Sequence, residues 1–303
     1  MYNNLFLLFM LQRILSLPAL AFIMLTVILS AVPYFFIIQS GSTDSVWTSV
    51  LMWIPALAAV IIRLARRESF FSGIGWNFFR QLPWILLVAL IPLVLQIATI
   101  AIAVASDFAK WNEGYIVISE GLISIKKTAL LFGADKQNIA FFVVNYLLSF
   151  WVGAVLYMLG LALGEEYGWR GYLQAHLTGR YGRYKGIVIL GLVWGYWHLP
   201  GILLGHNYPE YPILGGLVLM PVMTTIFSLV FGLLYIRLGN IWIPAILHAS
   251  VNLSAGIANK ALVKEGQNAL AIDLTWMMLW LFIAALFVFM NIRREKNVPV
   301  RLQ

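Results

Sequence analysis

Several charged or polar side chains lie within segments that are otherwise apolar enough to cross a membrane. They are Glu165, Glu166, Arg170, His198, His248 and Asn252. A charge in hydrocarbon costs at least about 2.5–3.5 kcal/mol, so each charged group needs a partner or a function. A glutamate, two histidines and an asparagine are side chains that can activate water and hydrogen-bond a developing negative charge. We therefore expect Glu165, His198, His248 and Asn252 to converge in a catalytic site for hydrolysis.

The spacing of the charged residues separates the two glutamates. Glu166 and Arg170 are four residues apart, so they share a helix face and we expect a structural ion pair. Glu165 points about a quarter-turn away, is less readily neutralised by that arginine, and is the free carboxylate available for proton transfer. The simpler alternative is a buried network of all three charges that only fixes helix packing.

The two histidines each have a polar or aromatic residue on the same helix face. Trp194 precedes His198 by four residues and Asn252 follows His248 by four. We expect Trp194 to form an aromatic pocket wall, and Pro200 to end the helix just beyond His198. Taken alone, a His–Asn pair within a membrane would form an interhelical hydrogen bond. Its occurrence together with Glu165 and His198 on three separate segments favours a site.

In this order the three motifs, EExxxR, an aromatic residue four before a histidine, and HxxxN, resemble a known family of membrane proteases. It is the CAAX protease and bacteriocin-processing family (CPBP, also called Abi), with the type II CAAX prenyl endopeptidases as eukaryotic relatives. The family commonly has Phe where Trp194 stands, so an aromatic ring is kept. The resemblance implies hydrolysis of a peptide bond by Glu165 and His198 acting on water, with His248 and Asn252 stabilising the oxyanion.

A metal-dependent version of the same site stays open at this point. Glu165, His198 and His248 make a His₂Glu set, the type found in open catalytic zinc sites, with Asn252 outside the ligand set. Because no HExxH motif is present, we expect no obligatory cofactor and keep zinc as the alternative. The chain has no cysteine, which excludes thiolate nucleophiles, disulfides and cysteine-ligated metals.

The rest of the chain has the composition of a scaffold in a membrane. It is 62% hydrophobic and 11% charged, whereas a soluble domain is about 25% charged. We predict an all-α, polytopic helical bundle forming one integral-membrane domain, 1–303, with the catalytic core at about 139–259. About eight transmembrane helices are expected, at 17–38, 46–62, 84–105, 139–163, 186–199, 213–236, 241–259 and 275–292. Its location is the plasma membrane if the source is bacterial and the endoplasmic reticulum if it is eukaryotic.

Four smaller features complete this interpretation. Gly160, Gly164 and Gly168 form a stripe that lets another helix approach closely. Residues 1–16 and 68–83 are expected at the membrane interface, the second as a helix with paired phenylalanines. A short helix is expected around 116–131, within an outer loop.

The net charge of +8 is explained by topology, so we expect no nucleic-acid partner. Arginines collect in connections on one side of the predicted spans, which places both termini in the cytoplasm. Glu165 then lies near the cytoplasmic leaflet. The expected partners are membrane lipids and a peptide or lipidated protein substrate, such as a prenylated CAAX-type tail. In a bacterium a membrane peptide or signalling precursor is the better expectation.

Two other functions are compatible with the same residues. A proton-coupled transporter would use the Glu/His cluster as a relay. A non-catalytic member of the family would act through binding, as an immunity or scaffold protein.

Overall fold

Long helices dominate the structure, because a backbone in hydrocarbon must satisfy its hydrogen bonds internally. The computed structural model describes residues 17–297, and the interfacial prediction for 1–16 lies outside them. Within that range the long helices are α1 Pro18–Ser40, α2 Val46–Ala65, α3 Leu82–Ala105, α4 Ile139–Tyr181, α5 Arg183–Leu203, α6 Pro212–Leu238, α7 Trp242–Ala261 and α8 Ala269–Asn297. They follow the eight predicted segments in order, and the all-α polytopic fold class is confirmed.

Seven of these helices in residues 17–297 are long and apolar enough to cross a membrane, which makes the chain a multi-pass integral membrane protein. The helix α7 forms as predicted but is not among the seven. Its polar residues, which include His248, Asn252 and Lys260, lower its hydropathy. The cytoplasmic placement of the termini stays a prediction.

The helix α4 extends well past the predicted end of its span and changes its winding twice. Two π-helical segments, Met158–Ala162 and Trp169–Leu173, flank a short α-helical turn, Leu163–Gly168. Each π segment fits an extra residue into the winding, so it changes the direction in which later side chains point. Glu165 and Glu166 both lie on the turn between them.

The described chain divides into two compact units. The first comprises residues 17–78, 161–244 and 283–297, and the second comprises 79–160 and 245–282. The expectation of one functional domain over 1–303 stays a prediction.

The first unit contains the close helix contact that the glycine stripe predicts. A Cβ added to Gly168 would lie 2.5 Å from Pro55 Cβ, and one added to Gly164 would lie 2.8 Å from the Met52 carbonyl oxygen. The helix α2 therefore packs directly against the turn that carries the glutamates. The prediction is wrong for Gly160, where an added Cβ would meet no described atom within 4 Å.

The predicted interfacial helix at 68–83 is wrong, because most of this segment has no regular structure. Phe79–Gln81 forms a single 3₁₀ turn, and α3 begins at Leu82. Side chains from other helices bind the carbonyl groups that a helix would use internally. Arg63 donates to the Ser69 and Ser72 carbonyls, at 2.9 and 3.1 Å, and the Tyr167 hydroxyl donates to the Phe70 carbonyl at 2.8 Å.

The predicted helix around 116–131 is also wrong. This part of the second unit is an antiparallel sheet of β1 Ile116–Ser119, β2 Leu122–Ile125 and β3 Gln137–Asn138, in that order. Isoleucine and valine dominate β1 and β2 and favour strands. Glu120 and Gly121 both have positive φ, at 54° and 75°, as a tight hairpin turn requires.

Candidate active site

The two neighbouring glutamates of α4 are both buried, with 2% of Glu165 and none of Glu166 exposed. Adjacent helix residues point about 100° apart, so the two carboxylates face different surroundings. The packing of Gly164 and Gly168 against α2 fixes the backbone that carries them.

Glu166 forms the predicted ion pair with Arg170. The Arg170 Nη1 donates to Glu166 Oε1 at 2.8 Å, and both side chains are fully buried. The Arg170 Nη2 donates to the Ser228 hydroxyl at 3.2 Å. The guanidinium carbon also lies 4.3 Å from the Trp194 ring centre and 5.1 Å from that of Phe231. Glu166 and Arg170 are therefore held as a structural pair.

Glu165 has hydrogen-bond donors that sequence reasoning missed. The Trp194 indole Nε1 donates to Glu165 Oε2 at 2.7 Å, and the Trp169 Nε1 donates to the same oxygen at 3.3 Å. The prediction of a free carboxylate is therefore corrected. The prediction of Trp194 as a wall was incomplete, because its indole N–H is a polar group that needs a partner when buried. The four-residue spacing of Glu165 and Trp169 could have revealed the second donor.

His198 lies half-buried where the helical winding of α5 is interrupted. The chain then continues as a further turn, Leu199–Leu203, so Pro200 begins a turn and does not end the helix as predicted. The His198 Nδ1 lies 2.8 Å from the Trp194 carbonyl oxygen. Because a carbonyl oxygen only accepts, Nδ1 carries the proton, and in the neutral ring Nε2 has the lone pair.

The helix α7 carries the second predicted pair. His248 is buried, with 5% exposed, and Asn252 is half-buried. The Asn252 Nδ2 donates to the Tyr157 hydroxyl at 3.2 Å. Sequence reasoning missed Tyr157, and nothing in the spacing indicates it, since the two residues are far apart in the chain. The convergence of His248 and Asn252 with Glu165 and His198 stays a prediction.

The zinc alternative depends on ligands that come together. Across residues 17–297 no group of three or more histidine, aspartate or glutamate side chains is arranged to hold a metal ion. The metal requirement stays a prediction.

The fold and these residues define a multi-pass helical membrane protein. It has a buried carboxylate, Glu165, next to a structural ion pair, Glu166–Arg170. Residues 147–254 match the family model "Type II CAAX prenyl endopeptidase Rce1-like". The match covers the three motifs, from Glu165 to Asn252, which confirms the resemblance to the type II CAAX prenyl endopeptidases.

A curated relative supports the same assignment. The CAAX prenyl protease 2 of Methanococcus maripaludis is 42% identical to this chain over 60 residues, which are 20% of this chain and 22% of the relative. The match thus spans less than a quarter of that relative's length. Both comparisons thus find similarity to CAAX prenyl proteases over part of this chain.

Proposed function

We propose that this protein is an intramembrane endopeptidase in which Glu165 moves the protons of the reaction. The observation that carries the proposal is the different environment of the two adjacent glutamates. Glu166 is committed to Arg170 at 2.8 Å, whereas Glu165 is oriented by neutral indole donors. A carboxylate held in this way can accept a proton from water and return it to the leaving group.

The chemistry follows from this division of tasks. Glu165 takes a proton from a water molecule, and His198 Nε2 assists by accepting a hydrogen bond from it. The hydroxide oxygen bonds to the carbonyl carbon of the scissile peptide, and the carbonyl oxygen becomes an oxyanion. His248 and Asn252 donate hydrogen bonds to that oxyanion. The carbon–nitrogen bond then breaks, Glu165 returns its proton to the leaving amine, and the other product is a carboxylic acid, which releases its proton to the amine or to water.

We infer that the substrate is a peptide or lipidated protein held at the membrane, with a prenylated CAAX-type C-terminal tail as the first candidate. The support is the match to the Rce1-like family and the location of Glu165 within a membrane helix. A lipid anchor confines such a substrate to the bilayer, which raises its concentration beside a membrane-embedded site.

The test uses the full chain in liposomes with a fluorogenic, farnesylated CAAX-type peptide and the same peptide without the farnesyl group. Glu165→Gln should lower the cleavage rate by about 10²–10⁴-fold, the usual size of general acid–base catalysis. The matched control is Glu68→Gln, whose carboxylate pairs with Arg66 outside the spans and should leave the rate unchanged. Cleavage by Glu165→Gln at the wild-type rate would contradict the proposal.

Comparing the two peptides tests the substrate class. Cleavage of the farnesylated peptide alone would support a prenylated tail, and equal cleavage of both would make the prenyl group unnecessary.

We also propose that no metal is obligatory. Activity should persist after treatment with a strong zinc chelator and removal of the chelator. Loss of activity that zinc alone restores would replace the metal-free mechanism by the His₂Glu alternative.

A further inference from the structure

We propose that Trp194 is a positioning residue that orients both water-activating groups, Glu165 through its side chain and His198 through its backbone. This inference rests on the proposed function. The Trp194 Nε1 donates to Glu165 Oε2 at 2.7 Å, and the Trp194 carbonyl oxygen accepts from His198 Nδ1 at 2.8 Å. One residue thus fixes the orientation of the carboxylate and the tautomer of the imidazole.

The bond to Glu165 has the geometry of a strong hydrogen bond. N–H···O hydrogen bonds in proteins are about 2.7–3.2 Å long, and the Trp194 bond, at 2.7 Å, lies at the short end of that range. Both residues are buried, with 2% of each exposed, so water competes little for the carboxylate oxygen. The Trp169 bond to the same oxygen is longer, at 3.3 Å, and is therefore the weaker restraint.

The Trp194 ring is itself held in place by its neighbours. The Arg170 guanidinium carbon lies 4.3 Å from the ring centre. The ring centroids of Phe231 and Phe227 lie 6.3 and 6.4 Å from that of Trp194. The Arg170–Glu166 pair, which takes no part in proton transfer, thereby supports the donor that orients Glu165. This connection explains why a structural ion pair lies beside the proton-transfer carboxylate.

The side-chain part of this role can be separated from the backbone part. Phenylalanine keeps an aromatic ring beside Arg170 and keeps the carbonyl group that His198 binds, but it lacks the N–H. Trp194→Phe therefore keeps an aromatic ring and removes the indole N–H, which tests the donor.

The kinetic experiment measures kcat and KM on the farnesylated peptide in liposomes. Trp194→Phe should lower kcat by about 10- to 100-fold, the loss expected for a hydrogen bond to a charged group, with KM nearly unchanged. Trp169→Phe should lower kcat by less, about 3- to 10-fold. The matched control is Trp242→Phe, which removes an indole bond of 2.8 Å to the Trp76 carbonyl and should leave kcat unchanged.

A spectroscopic measurement tests the contact without any reference to activity. The ¹⁵N-labelled indole signals are recorded in detergent micelles, and Trp194 is assigned as the signal that Trp194→Phe removes. A strongly hydrogen-bonded indole proton resonates downfield, so Glu165→Gln should move the Trp194 proton signal upfield and leave that of Trp242 in place.

The outcomes distinguish this inference from the proposed function. If Glu165→Gln is inactive but Trp194→Phe keeps the wild-type kcat, the positioning role is overturned and the proposed function stands. A Trp194 indole signal that does not move in Glu165→Gln overturns the positioning role as well. If Glu165→Gln remains active, the proposed function fails, whatever the indole signal does.

A second variant covers the case in which Trp194→Phe does not fold. Replacing Trp194 with β-(3-benzothienyl)alanine keeps the bicyclic shape and exchanges only the N–H for sulfur. The same fall in kcat is expected, and an unchanged kcat in this variant would overturn the inference.

Discussion

Two polar turns of this membrane protein are enclosed to different degrees. One lies on α4 and carries the two glutamates, and the other lies on α7 and carries His248 and Asn252. On α4 the carboxylates are almost fully buried and are held by a guanidinium group and two indoles. On α7 Asn252 is half-buried and donates to a tyrosine hydroxyl.

This difference indicates that the two regions depend on folding in different ways. Removing a buried charge from the α4 region leaves its partner uncompensated, so the change should disturb stability. The neutral amide of Asn252 loses little when it is removed from a half-buried position. A change at Asn252 should therefore affect the reaction more than the fold.

The largest effect on stability is expected from Arg170→Ala. It leaves the buried Glu166 carboxylate without its cation, and breaking a buried pair in this way costs about 3–5 kcal/mol. The control is Arg66→Ala, which breaks a partly exposed pair of 2.7 Å and should cost at most about 1 kcal/mol. Circular dichroism during titration with sodium dodecyl sulfate measures both. Equal losses would contradict the distinction between the two pairs.

Asn252→Ala should have the next largest effect, and this effect should be on kcat and not on stability. Removing one oxyanion donor lowers kcat by about 10²–10³-fold, while the unfolding transition should stay close to wild type. His248→Ala should also lower kcat. The measurement combines kcat on the farnesylated peptide with the unfolding titration. A loss of stability as large as that of Arg170→Ala would remove the contrast between the two regions.

A smaller effect is expected where α2 packs against the glutamate turn. Gly168→Ala places a methyl group 2.5 Å from Pro55 Cβ, and overpacking of this kind costs about 1–3 kcal/mol. Gly160→Ala is the matched control, since the added methyl meets no described atom within 4 Å and should not destabilise the protein. The unfolding titration compares the two variants. Equal destabilisation would show that the close approach to Pro55 does not cause the loss of stability.

The smallest effect is expected at Tyr157, the hydroxyl partner of Asn252. Tyr157→Phe removes one neutral hydrogen bond, worth about 0.5–1.5 kcal/mol, so kcat should fall by roughly 2- to 10-fold. The control is Tyr181→Phe, at an exposed position of α4, which should leave kcat unchanged. An effect as large as that of Asn252→Ala would indicate that the hydroxyl itself participates in the reaction.

Part of the fold and of the site could be predicted from local features of the sequence, namely the length of apolar runs and the spacing of charged residues. The helices could be placed because apolar runs of sufficient length must become helices in hydrocarbon. The Glu166–Arg170 pair could be predicted because residues four apart share a helix face. The strands at Ile116–Ser119 and Leu122–Ile125 were missed, although β-branched residues and the Glu120–Gly121 turn indicate them.

The amino-acid sequence by itself determined that this is a multi-pass helical protein with a segment similar to the Rce1-like family, because hydropathy and motif order are properties of the chain alone. Only the tertiary structure decided that Trp194 holds Glu165. The Trp194 donor comes from a different helix, and its direction depends on packing against Arg170 and Phe231. Spacing along one helix cannot encode such a contact, since it arises where separate helices meet.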